Sequence, residues 1–221
     1  MTQKRLGIGL CFALALGVIS GQSATFAKAD EMTYKIVTFG TSLTERGGWQ
    51  LPLQQALSKC LGRPVLVDSV ARSGATSEWA VEKTEDVIAA KPDIVLVEFY
   101  ANDAAFNRFM TVGRSRKNMA IVLARLKREL PSTRIIVMGM NPIFGMRGFI
   151  RPFINSYIDA HRQLAKEMGL DFYDNQSAWA KLTADELAAA IPDGSHPLPQ
   201  AASAVIVPGL TQEIASGKCQ N

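Results

Sequence analysis

The stretch IVTFGTSLTERGG, residues 36–48, reads as a buried strand running into a polar loop. Ile36, Val37, Thr38 and Phe39 favour extended backbone. Gly40 ends the run, Thr41 and Ser42 bring two hydroxyls, and Glu45 and Arg46 open a charged turn. On these residues alone, Ser42 is either a serine closing a turn or a nucleophile held at a strand end. The loops that follow the other strands decide between the two.

Working outward, 34–39 is the first of five short apolar runs. The others are 65–70, 94–99, 135–140 and 170–173, and the third is apolar throughout except for Glu98. Longer amphipathic segments at 49–61, 77–90, 118–130 and 150–168 lie between them and read as helices. A further helix is expected over 183–190, where Thr183 and Glu186 form a capping box. A last one covers 198–216, interrupted or bent at Pro208. Strands alternating with helices predict an α/β fold: a three-layer α/β/α sandwich on a flavodoxin-like five-stranded parallel sheet. Neither internal repeats nor low-complexity tracts occur.

The start of the chain is a separate matter. Lys4 and Arg5 precede the apolar run 6–19, and small and polar residues lead from it to Ala27-Lys28-Ala29. That is the pattern of a signal peptide with an A-x-A cleavage site. About 14 apolar residues fall short of the ~20 that a spanning helix needs. Residues 1–29 are expected to be removed after Ala29, leaving 30–221 as one domain of an exported, periplasmic or secreted protein; an uncleaved anchor is the alternative. Cys11 leaves with the leader, and Cys60 and Cys219 remain, as a disulfide or as two separate thiols. The leader holds Lys4, Arg5 and Lys28 and no acid, so its loss lowers the formal charge from +4 to +1. The basic balance is a property of the leader and gives no support for nucleic-acid binding.

In doubly wound sheets, ligands bind beyond the carboxyl ends of the strands. Four loops there hold reactive side chains: Gly40-Thr41-Ser42-Leu43; Ala71-Arg72-Ser73-Gly74-Ala75-Thr76; Tyr100-Ala101-Asn102-Asp103; and Asp193-Gly194-Ser195-His196-Pro197 before the last helix. Each is unremarkable by itself; together they hold the parts of an acyl-transfer site. A serine needs a base, and there are two histidines. His161 lies within a helix and reads as a solvated or packed side chain. His196 lies in a loop three residues after Asp193, where a turn folds the carboxylate onto one ring nitrogen and leaves the other for Ser42. The Ser42 and Gly74 amides and the Asn102 side-chain NH2 are donors for an oxyanion if their loops converge.

This set resembles the SGNH (GDSL-type) hydrolases, whose blocks run Ser, Gly, Asn, then Asp-x-x-His; here they span Ser42 to His196, nearly the whole chain after the leader. The resemblance implies a serine ester hydrolase for carboxylic esters or thioesters, needing neither cofactor nor metal. It implies Ser42 as nucleophile, His196 as base, Asp193 as its orienting acid, and Gly74 and Asn102 completing the oxyanion hole with Ser42. Two positions depart from the family pattern: Thr41 stands where aspartate is usual, and Tyr100 where glycine is usual. Both bear on substrate class, and Tyr100 is expected to narrow the acyl site or to stack on a substrate ring.

Arg108 and Arg147 follow the third and fourth strands, with Arg114, Arg116, Lys117 and Arg151 nearby and several phenylalanines interleaved. They form either a solvated basic surface or a rim that captures an anionic substrate. The expected partner is thus a small-molecule, lipid or glycan ester. Two other readings stay open: acyl or acetyl transfer to or from an envelope polysaccharide by the same residues, and a non-catalytic glycan-binding module on the same fold.

Overall fold

All five expected strands form. The structure, a computed structural model, describes residues 33–217. The expected leader and Cys219 lie outside the described residues, while Cys60 stands in a disulfide. Strands β1 (Tyr34–Gly40), β2 (Val65–Ala71), β3 (Ile94–Val97), β4 (Arg134–Gly139) and β5 (Asp171–Asp174) make one parallel sheet in the order β2-β1-β3-β4-β5.

The central strands β1, β3 and β4 are buried on both faces, while the edge strands β2 and β5 are only partly covered, and side-chain alternation splits the central residues between two cores. Ile36, Ile94, Leu96, Ile136 and Met138 point to one face. Val37, Phe39, Val95, Val97, Ile135 and Val137 point to the other. The chain runs through α1 (Ser42–Glu45), α2 (Gln50–Leu61), α3 (Ser77–Ala90), α4 (Tyr100–Asp103), α5 (Val112–Glu129), α6 (Gly145–Phe149), α7 (Ile154–Glu167), α8 (Gln176–Trp179), α9 (Ala184–Ala190) and α10 (Pro199–Ile214). Helices α2 and α10 cover the first face, with Leu53, Leu57, Ile206 and Leu210 buried there. Helices α3 and α5 cover the second, through Trp79, Val87, Met119, Leu123 and Leu126. Among the described residues no helix is long and apolar enough to cross a membrane.

The direction of winding reverses between β1 and β3, which opens a crevice at their carboxyl ends. Register levels the loops around it, since Phe39 pairs with Val97 and Gly40 with Ala71. Phe39 and Phe99 meet edge to face at 4.9 Å between ring centroids, with Trp79 against both. This aromatic cluster braces the floor of the crevice.

Three helix expectations need correction. Helix α5 starts at Val112, six residues before the expected 118, because Thr111 caps it by accepting from the Arg114 amide. The long helix expected over 150–168 begins only at Ile154, as α7, and a separate short helix, α6, ends at Phe149 before it. Pro152 falls between them and has no N–H to continue the ladder. Helix α10 is not interrupted at Pro208 but continues to Ile214.

Candidate active site

Ser42 is the first residue of α1 and is 8 % exposed. Its Oγ lies 2.8 Å from His196 Nε2. His196 Nδ1 donates to Asp193 Oδ2 at 2.7 Å. The other carboxylate oxygen, Oδ1, accepts from the backbone amides of Ser195 at 2.9 Å and His196 at 2.7 Å. Partial burial works against ionisation of Asp193, but these donors outweigh it and hold the carboxyl at about 2. An ionised Asp193 obliges Nδ1 to carry the ring proton, so Nε2 presents a lone pair to Ser42.

The loop bearing His196 is held from β4. Asn141 Nδ2 donates to the Ser195 carbonyl at 2.8 Å, and the Phe144 amide donates to the Gly194 carbonyl at 2.8 Å. The Gly74 loop is held from α1, where Glu45 accepts from the Ser73 amide at 2.7 Å and from the Ser73 hydroxyl. Gly74 itself has φ +76°, a backbone state that side-chain-bearing residues rarely adopt. The Ser42 and Gly74 amides donate to no acceptor among the described residues. Asn102 gives one Nδ2 hydrogen to the Ala75 carbonyl at 2.9 Å and keeps the other. Ser42, Gly74, Asn102 and His196 line one cavity of about 240 Å³. The arrangement is a hydroxyl–imidazole–carboxylate chain facing a set of unspent donors.

The family model for GDSL-like lipases and acylhydrolases matches residues 36–206. The chain belongs to the GDSL-like lipase/acylhydrolase family. That membership makes it an ester-hydrolysing enzyme. Solved structures similar to this acylhydrolase include an acetylxylan esterase from Geobacillus stearothermophilus, with 21 % identity and a TM-score of 0.71 over 85 % of this chain and 97 % of that one. Another is the lipase/acylhydrolase from Enterococcus faecalis, with 22 % identity and a TM-score of 0.66 over 81 % of this chain and 96 % of that one. Likeness at this identity concerns the fold. Among curated proteins no relative matches.

Of the expected substrate contacts, Arg108 and Arg147 line the cavity of the acylhydrolase. Tyr100 does not, and this corrects the sequence expectation. It is the first residue of α4, its ring turns down into the core, and it is 1 % exposed. Its Oη accepts from the Met140 amide at 2.9 Å, so the side chain is a strut between the segments that follow β3 and β4. His161 is likewise buried. It meets Ser115 Oγ at 2.9 Å, and that hydroxyl donates to Asp103 at 2.6 Å. Burial draws His161 down to about 4, so it is neutral at physiological pH. This second Ser, His and Asp grouping is a buried tie from the Asn102 loop to α5 and α7, away from the cavity.

The sequence reading missed what lies beneath Thr41. Glu98, the one charged residue in the third apolar run, is buried directly under the loop that carries Ser42. Its carboxyl accepts from the Thr41 amide at 2.6 Å, from Thr41 Oγ1 at 3.0 Å and from Thr44 Oγ1 at 2.8 Å. Burial raises it to about 7 against the pull of these donors. Gly40 leaves room for it, since a Cβ there would stand 2.3 Å from Glu98 Oε1. The carboxylate that the family usually places at position 41 thus has a counterpart donated from β3. The signal in the sequence was a lone acid in a strand buried on both faces.

Proposed function

We propose that this acylhydrolase cleaves carboxylic esters or thioesters through a covalent acyl-enzyme on Ser42. The observation that carries the reading is the unbroken chain Ser42–His196–Asp193, with contacts of 2.8 and 2.7 Å, opening on a cavity with unspent donors. Ser42 Oγ attacks the carbonyl carbon and its proton passes to His196 Nε2. The carbonyl oxygen becomes an oxyanion and accepts from the Ser42, Gly74 and Asn102 N–H groups. Collapse breaks the bond to the alcohol or thiol, which leaves with the proton from Nε2. Water then gives a proton to Nε2 and attacks the acyl carbon, and the bond to Ser42 breaks as the proton returns to Oγ.

The cavity, about 240 Å³, is below the ~300–1,000 Å³ of typical ligand pockets. Ala105 and Ile150 are the apolar side chains in its lining. Both facts favour a short acyl group such as acetyl over a long fatty chain, and the likeness to an acetylxylan esterase points the same way. Exposure of His196 (23 %) and Asp193 (41 %) favours water over a sugar hydroxyl as the acceptor. The test is labelling by a fluorophosphonate together with acetate release from aryl acetates. The wild type labels at Ser42, and Ser42→Ala loses roughly 10³-fold or more in kcat. A wild type that hydrolyses no short-chain ester or thioester and takes no label overturns the reading.

We also propose that residues 1–29 direct export. The disulfide at Cys60 supports an oxidising compartment. Sequencing of the mature protein should begin at Asp30; an N-terminus at Met1 in the mature protein would count against cleavage.

A further inference from the structure

Four arginines, Arg46, Arg108, Arg147 and Arg151, line the cavity over Ser42, and no acidic side chain does. Elsewhere most arginines are matched: Arg114 pairs with Glu78, Arg125 with Glu85, and Arg134 with Asp171 and Glu213, while Arg63 and Arg72 lie over the rings of Tyr34 and Trp79. Of the four in the cavity, only Arg147 has a carboxylate within 4 Å among the described residues. Arg151 is 7 % exposed, yet its guanidinium meets only neutral oxygens. Nε donates to the Ala101 carbonyl at 2.6 Å, Nη1 to the Arg147 carbonyl at 2.8 Å, and Nη2 reaches Asn102 Oδ1 at 3.5 Å. Two of its five N–H groups are left without a protein acceptor. Burial, then the charges of Arg147 and Arg108, which line the same cavity, press its pKa downward.

Arg108 forms no ion pair among the described residues, and its Nη2 would stand 3.1 Å from a Cβ built on Gly74. It therefore overhangs the oxyanion corner. Arg147 has Asp193 Oδ2 at 3.9 Å, but that oxygen is already engaged by His196 at 2.7 Å. Buried charge without a counter-charge is costly, and converging like charges add to the cost. A site that keeps such an arrangement beside its nucleophile is built for an anion that arrives with the substrate. Guanidinium groups suit planar carboxylates, which they hold through paired N–H donors.

We propose that the substrate is an ester bearing a carboxylate close to the scissile carbonyl, held by Arg108, Arg147 and Arg151. This rests on the hydrolase reading. Two sources share that chemistry: a small free acid and a uronate unit of an acidic polysaccharide. The experiment compares 4-acetoxybenzoate with its neutral methyl ester, each kcat/KM normalised to the spontaneous hydrolysis rate. The acid is favoured by roughly 10-fold or more at low salt, the scale of one charge-assisted contact. The preference collapses in about 0.5 M NaCl, where exposed charges are screened. Arg108→Gln lowers the acid-to-methyl-ester ratio by about the same 10-fold, a readout that a general structural defect leaves alone.

Turnover of the methyl ester with no preference for the acid overturns the anion site and leaves the hydrolase reading standing. If neither ester is turned over, nor any other short-chain ester or thioester, and the wild type takes no fluorophosphonate label, the hydrolase reading fails. Calorimetric titration of Ser42→Ala with 4-acetoxybenzoate then judges the site, and absence of salt-sensitive binding overturns it. Acetate release from an O-acetylated polyuronate in excess of that from O-acetylated xylan assigns the carboxylate to a polymer. Turnover of the small acid without the polyuronate assigns it to a free acid, and a preference for the neutral xylan over both counts against the proposal.

Discussion

Replacing Glu98 by glutamine removes a buried charge and almost nothing else. The amide oxygen at the Oε1 position still accepts from the Thr41 amide and the Thr44 hydroxyl. The NH2 at the Oε2 position faces Thr41 Oγ1, now 3.1 Å away, and donates to it. The stability change is therefore electrostatic and depends on pH. Burial lifts the carboxyl from its ordinary 4.5 to about 7 in the folded protein. A carboxyl raised in this way costs nothing below 4.5, where it is protonated in both states. Its penalty grows between 4.5 and 7 and is fully developed above 7. At 1.36 kcal/mol per unit the full penalty is about 3 kcal/mol. Glu98→Gln should match the wild type at pH 4.5 and exceed its stability by roughly 2–3 kcal/mol at pH 8.5, read from urea unfolding with an unchanged m-value. A variant less stable than the wild type at pH 8.5 would refute the reasoning, because it would mean that the three donors more than repay the desolvation.

Other expectations concern the site and its supports. Asp193→Asn keeps the acceptor for the Ser195 and His196 amides but turns an NH2 toward His196 Nδ1. That stabilises the wrong tautomer, and kcat should fall ~10⁴-fold with KM little changed. His161 is lowered to about 4, so its contribution is present above the unfolded value near 6.5 and is lost as pH falls through 4. Chemical denaturation should show the wild type losing about 3 kcal/mol relative to His161→Gln as pH falls from 6.5 through 4. Tyr100→Phe strands the Met140 amide and should cost about 1–3 kcal/mol in a melt while leaving the KM for a small acetate ester within about twofold, as befits a strut and not a substrate contact.

The sheet was legible because strands covered on both faces leave continuous apolar runs, and the turns between them carry glycine and proline. The grouping of Ser42, Gly74, Asn102, Asp193 and His196 was legible for a related reason. A parallel sheet sends every strand's following loop to the same edge, so chain order alone brings distant loops together. What stayed hidden depends on side-chain direction. Whether Tyr100 faces the cavity or the core turns on its place at the start of a four-residue helix, which spacing does not give. Thr111 as a helix cap was obscured by Gly113 and the run of basic residues after it, which read as loop. Glu98 was visible as an anomaly, but its partners at Thr41 and Thr44 lie more than fifty positions away. No local pattern joins them.

The bond between Ser42 and His196 spans 154 positions of the chain. Ser42 leaves the ribosome long before His196 does. Until the last loop has docked on the first, Ser42 is an ordinary alcohol. Contacts of such long separation form late, after most of the loop-closure entropy has been overcome. Hydrolytic activity in a refolding time course should therefore trail the burial of Trp79 and report the completed molecule. Under the proposed export, which would thread the chain unfolded across a membrane, Ser42 and His196 would meet only after transit, and the topology itself would be the safety catch.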